Sequence, residues 1–223
     1  MIIEQSQIFS PHLLDQASNS VPDFDIRYPI NQPTGRFFYD PWAIRDDLKD
    51  SVFDKLLSYI PEDIGEARIV KLKPGTCYRS HSDLDDRWHL SLLSKKSFLI
   101  NLDTCEMHQQ AKVPYWELLD AGCRHSAANF SGTERIQLVV RRLLRNGDNI
   151  VNPLSVSLSL NKDLTNGRYI FDDIVSPWLN KKVKQGLISD FSHGSTSADF
   201  TIDSSLYDEL IRMSSDFARV TLV

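Results

Sequence analysis

Ala67-Arg68-Ile69-Val70-Lys71-Leu72 opens a segment, running to Leu144, in which the apolar period is two. Ala67, Ile69 and Lys71 alternate with Arg68, Val70 and Leu72 before the turn signal Pro74-Gly75. Trp88 to Leu93, Ser97 to Leu102, Tyr115 to Leu119, Arg124 to Phe130 and, after Ser131-Gly132, Arg135 to Leu143 are further strand candidates. Short strands separated by turns, with no helix between them, predict an antiparallel sandwich or barrel. A double-sheet jelly roll satisfies the pattern.

Outward from this segment the character changes on both sides. Toward the N-terminus, Gly35-Arg36-Phe37-Phe38-Tyr39 reads as a short strand after the turn signal Pro33-Thr34-Gly35. Asp40 then reads as a helix cap and Pro41 as the first helical residue. Ile44, Leu48, Val52 and Leu56 form an apolar stripe ended by Pro61, so a helix is expected over this stretch, covering one face of the sheet. Toward the C-terminus, Val156, Leu158 and Leu160 alternate with serines as a half-buried strand. Helices are expected from Ser176-Pro177 and from Ser205, where Asp208 completes a capping box. Lys181, Lys182 and Lys184 read as a solvated helix face. The expected organisation is residues 1–66 as a helix-and-strand cover, 67–145 as the β core, and 146–223 as a mainly helical part.

The 223 residues suit one domain with an appended subdomain. A net charge of -5 argues against a nucleic-acid surface, which needs a basic stripe. No apolar run approaches membrane-spanning length, and residues 1–14, with Glu4 and Pro11, do not read as a secretory signal. The three cysteines, Cys77, Cys105 and Cys123, are an odd count without close pairing, which predicts a reducing, cytoplasmic setting and no disulfide framework.

Within the β segment lie His81-Ser82-Asp83, then His125 forty-four residues later, then Arg135. Residues two apart on a strand share a side, so His81 and Asp83 can reach one ion while Ser82 faces away. Asp85 and Asp86 compete as carboxylates, but the two-residue spacing favours Asp83. Two imidazoles and one carboxylate are the ligand set of a non-haem Fe(II) oxygenase, which leaves the other metal positions open. His125 shares its strand side with Ala127 and Asn129, small neighbours that leave room. Arg135 offers a permanently charged fork suited to a carboxylate. Arg87, His89 and Ser91 form a polar stripe opposite Trp88, Leu90 and Leu92. That stripe either lines a cavity or faces solvent. Without turnover, the same residues would describe a jelly-roll metal- or ligand-binding module.

Read together, Ala67 to Leu72, His81-Ser82-Asp83, Arg87-Trp88-His89-Leu90, Trp116-Glu117-Leu118-Leu119-Asp120-Ala121, His125-Ser126-Ala127 and Arg135-Ile136-Gln137-Leu138-Val139-Val140 resemble the aspartyl/asparaginyl β-hydroxylase family. The branch they resemble most is the bacterial proline hydroxylases, including the L-proline cis-4-hydroxylases. The resemblance covers roughly residues 60–145. It implies a mainly β chain with flanking helices, its core a cupin-like double-stranded β-helix. It implies Fe(II) held by His81, Asp83 and His125, and 2-oxoglutarate held by Arg135 with Arg87 and His89 in the co-substrate or substrate pocket. It further implies O2 as oxidant and hydroxylation of a small amino acid, proline foremost. Hydroxylation of Asp, Asn or another residue in a peptide is the alternative. Arg124 or Arg87 would serve a free amino acid's carboxylate. The His81-to-Arg87 link is shorter than in the proline hydroxylases, and substrate identity and oligomeric state are not legible.

Overall fold

The structure is a computed structural model that describes residues 2–143, 147–161, 167–194 and 196–223. In chain order the first strands are β1 Ile2–Gln5, β2 Arg27–Pro29, β3 Asn31–Pro33, β4 Trp42–Ile44, β5 Ile64–Leu72 and β6 Thr76–Cys77. There follow β7 Arg87–Leu93, β8 Ser97–Asn101, β9 Met107–Gln109, β10 Glu117–Leu119, β11 His125–Asn129 and β12 Arg135–Arg142. The last are β13 Pro153–Leu160, β14 Ile188–His193, β15 Ser197–Asp203 and β16 Ala218–Leu222. The helices are α1 Pro11–Asn19, α2 Val52–Leu57, α3 Gly167–Ile170, α4 Ser176–Lys184 and α5 Tyr207–Ser214.

The chain divides into two units. One holds the residues up to Gly35, Pro41–Ser80 and Asp85–Leu143; the other holds Arg36–Asp40, His81–Leu84 and the chain from residue 147 onward. The expected boundary at residues 145 and 146 lies outside the described residues.

In the first unit a six-stranded sheet runs β1-β10-β7-β12-β5-β2 and a four-stranded sheet runs β6-β11-β8-β9, every pair antiparallel. The eight consecutive strands β5 to β12 thus divide as β10-β7-β12-β5 and β6-β11-β8-β9. This alternation of sheets is the double Greek key of a jelly roll. Strand alternation separates two environments. Trp88, Leu90 and Leu92 of β7 join Leu138 and Val140 of β12 and Ala67 and Ile69 of β5 in an apolar core with Leu14 and Ala17 of α1 and Phe53, Leu56 and Leu57 of α2. Fully burying a Leu, Ile, Val or Phe among them contributes about 1.5–3 kcal/mol. Both indoles there are satisfied, Trp88 donating to Glu62 Oε1 at 2.8 Å and Trp116 to the Leu56 carbonyl at 2.9 Å. The opposite face of the large sheet looks into the jelly roll. There Leu72 and Leu119 meet Leu99 and Ala127 of the small sheet.

Two expectations near the N-terminus are corrected. Residues 35–39 form a turn, not a strand. The Phe37 amide donates to Asp40 Oδ2 at 2.6 Å and the Asp40 amide to the Phe37 carbonyl at 3.1 Å. The helix expected from Pro41 is only its last part. Trp42–Ile44 pairs with Asn31–Pro33 as a ribbon, Asp46–Leu48 is a single 3-10 turn, and Val52–Leu57 is the helix. Its cap is Ser51, whose hydroxyl accepts from the Asp54 amide at 3.3 Å, after Asp50 turns the chain at φ +59°. Ile44, Leu48 and Val52 still pack on the same core, so the four-residue period marked burial, not helix.

In the second unit β14-β15-β13-β16 form an antiparallel sheet, so the C-terminal part is mixed and not mainly helical. The strand at 156–160 and the helix at 176 are present. Asp203, not Ser205, caps the last helical segment, accepting from the Ser205 amide and hydroxyl at 3.1 and 2.6 Å. Lys182 is buried and pairs with Glu209 Oε2 at 2.7 Å, so that face is not simply solvated.

Candidate metal centre

His81 and Asp83 lie on the loop between β6 and β7 rather than on one strand. The loop is held by its own backbone. The Tyr39 hydroxyl donates to the Leu84 carbonyl at 3.0 Å, and Asn180 Nδ2 of α4 donates to the Asp83 carbonyl at 3.3 Å. Ser82 does not simply face away, being buried with its hydroxyl unpartnered among the described residues. His125 opens β11 opposite Asn101. Its Nδ1 meets the Cys123 carbonyl at 2.9 Å. A carbonyl only accepts, so Nδ1 carries the proton and Nε2 is left as a lone-pair donor.

The structure brings the three together. One ligand atom from each of His81, Asp83 and His125 lies within 4.8 Å of the other two, with His125 buried and the others half-buried. His81 Nε2 stands 3.9 Å from Asp83 Oδ1. The donor set fits a divalent metal, and the group could bind one.

The competing carboxylates are engaged elsewhere. Asp85, 0% exposed, bonds Arg141 Nε and lies 3.3 Å from Arg87 Nε. Asp86 Oδ1 accepts from the Ala121 amide at 3.4 Å.

Arg87, His89 and Ser91 face the jelly-roll interior, Ser91 buried and the other two half-buried, so the stripe lines that interior rather than facing bulk solvent. Arg135 is 2% exposed. Its Nη2 donates to Gln110 Oε1 and to Gln137 Oε1, while Nε and Nη1 have no partner among the described residues. Burial pulls its pKa down to about 10. His89 Nδ1 sits 3.1 Å from Gln137 Oε1 and 3.2 Å from Gln110 Nε2. Burial, and next the Arg135 charge, push its pKa down to about 3, so the ring is neutral. Glu117, opposite His89 across β10 and β7, meets His108 Nε2 at 3.0 Å. Arg124 is exposed, so no interior role falls to it.

Sequence reasoning missed Gln110, Gln137 and the Glu117–His108 pair. Gln137 had a signal, since it is two residues from Arg135 on the same strand face. Gln110, beyond the edge strand β9, had none.

No family profile matches the chain, and no curated protein matches it. Among solved structures, it is similar to a cupin domain from Bordetella pertussis Tohama I at 16% identity, covering 37% of this chain and 84% of that one with a TM-score of 0.32. It is also similar to a sugar phosphate isomerase of a cupin superfamily from Silicibacter pomeroyi at 15% identity, covering 55% and 77% with a TM-score of 0.30. The jelly-roll assignment rests on the strand order, and the hydroxylase resemblance on the motifs of this chain alone.

Proposed function

We propose that this chain is an Fe(II)- and 2-oxoglutarate-dependent dioxygenase that hydroxylates an unactivated C–H of a small amino acid, proline first. The observation that carries this reading is Arg135. A guanidinium removed from water, with Nε and Nη1 unsatisfied among the described residues, is a costly arrangement, because a buried charge without a counter-ion costs several kcal/mol. A ligand carboxylate offsets that cost, and neither neutral amide at Nη2 competes for the charge.

His81, Asp83 and His125 would hold the metal, with positions left open for other ligands. Bound Fe(II) with 2-oxoglutarate would supply oxidising power from dioxygen, with release of succinate and CO2. Arg135 binds the far carboxylate of the co-substrate. His89, neutral, offers a hydrogen bond without altering the charge balance. Arg87, oriented by Asp85, supplies a cation at the metal-loop end of β7 for a second carboxylate. Leu72, Leu99, Leu119 and Ala127 keep the interior apolar between these polar points and exclude water.

The test is succinate release from 2-oxoglutarate by the Fe(II)-loaded protein, offered each free amino acid and then short peptides. Stimulation by one small amino acid is expected. Stimulation by peptides alone would move the substrate to a protein side chain. No stimulation by any of them would leave a binding jelly roll.

A further inference from the structure

The environment of Arg135 is built in an unusual way. Five N–H donors belong to a guanidinium. The two on Nη2 go to the side-chain oxygens of Gln110 and Gln137, and the three on Nε and Nη1 go to nothing among the described residues. Both glutamines are buried, at 1% and 0% exposure. Both are also held at the other end. Gln137 Nε2 donates to Ser91 Oγ at 3.0 Å, Ser91 Oγ donates to the Gln110 carbonyl at 3.2 Å, and Gln110 Nε2 reaches His89 Nδ1 at 3.2 Å. A guanidinium only donates, so each amide turns its oxygen toward the arginine. Elsewhere in the same interior the partners are charged: Arg141 and Arg87 share Asp85, and Arg68 has Glu66.

We propose that Gln110 and Gln137 are positioning residues that fix the Arg135 guanidinium through Nη2 and, being neutral, reserve its charge for a carboxylate of the bound ligand. They thereby set the preference for a 2-oxo dicarboxylate over a 2-oxo monocarboxylate. This rests on the co-substrate reading above. An acid in place of either amide would pair with Arg135 internally, and the ligand's far carboxylate would then meet a neutralised site. Gln and Glu are nearly equal in shape, so the exchange changes charge and not packing.

The experiment is calorimetric binding of 2-oxoglutarate and of 2-oxopentanoate to the Mn(II)-loaded protein, which involves no turnover. The two ligands share the chelating end and differ at the far carboxylate. Wild type is expected to prefer 2-oxoglutarate by about 100-fold, the scale of a desolvated charge pair. Gln137→Glu and, separately, Gln110→Glu are expected to reduce that preference below about tenfold while 2-oxopentanoate binds as in wild type. Gln137→Met, which removes the amide without adding charge, is expected to fall between. A merely structural role would weaken both ligands together, and that result overturns the proposal. So does an undiminished preference in both acid variants. If wild type itself shows no preference, Arg135 does not hold the far carboxylate, and the co-substrate reading falls along with the proposal.

Discussion

Asp83 and Asp85 are two residues apart, and exchanging each for asparagine separates their roles. Asp85 is 0% exposed and is shared by Arg141 and Arg87, whose side chains are 4% and 15% exposed. Removing one member of a buried ion pair costs about 3–5 kcal/mol because its partner's charge is left uncompensated. Arg87 keeps some solvent contact, which places Asp85→Asn near the lower figure, about 3 kcal/mol. For a chain of this size that lowers the melting temperature by roughly 6–12 °C. Asp83 is half-buried and offers an oxygen to the metal group, so Asp83→Asn should cost the metal-free protein less stability than Asp85→Asn. Its metal affinity should fall by more than the roughly 10–100-fold typical of removing an outer partner of a metal ligand. Urea unfolding of the metal-free variants, followed by Mn(II) titration of each, measures both quantities. The reverse pattern, with Asp85→Asn losing the metal and Asp83→Asn losing stability, would refute the assignment of ligand and structural carboxylate.

Arg135→Met should weaken 2-oxoglutarate binding by about 2–5 kcal/mol, checked by calorimetry on the Mn(II)-loaded protein; unchanged affinity rules out the carboxylate role. The His89 ring should remain neutral at pH 5, since its pKa is held near 3, and nitrogen NMR of the imidazole would read this directly. Because an unfolded histidine takes a proton near pH 6.5, the His89 contribution to stability is present above that value and lost as pH falls below it, so His89→Gln should flatten the pH 5–7 stability slope. Asp203 accepts from the Val151 and Asn152 amides at 2.9 and 3.0 Å as well as from Ser205, and the Asn152 amide is the largest cause holding its carboxyl well below the usual range. Its contribution is present above the ordinary carboxylate range near pH 4 and lost as pH falls toward the depressed value, so Asp203→Asn should show a shallower acid unfolding limb than wild type.

The β core was legible because burial on one side of a sheet imprints a period of two. Trp88, Leu90 and Leu92 against Arg87, His89 and Ser91 gave both the strand and its two faces. The candidate metal group was legible for a different reason: histidines are few, so His81 and His125 stand out by type, and the two-residue spacing from His81 singled out Asp83. Between Pro41 and Ser51 the same logic misled. Ile44 and Leu48 recur at helical spacing, yet a ribbon strand and a 3-10 turn deliver them to the same core. The C-terminal sheet was hidden because β14 is bulged between Ser189 and Ser192, which breaks its alternation, and Lys-rich α4 drew the eye to helices. A glutamine has no type signature, so Gln110 was invisible and Gln137 was marked only by its place two residues from Arg135 on the same strand face. Only their shared contact with Arg135, 25 and 2 residues away, gives them meaning.

The most direct measurement is anaerobic visible absorption of the Fe(II)-loaded protein titrated with 2-oxoglutarate. A chelated complex gives a weak charge-transfer band, expected to saturate in wild type and to vanish in both His81→Ala and Asp83→Ala. A spectrum that is the same in wild type and both variants would contradict the assignment of those side chains to the iron.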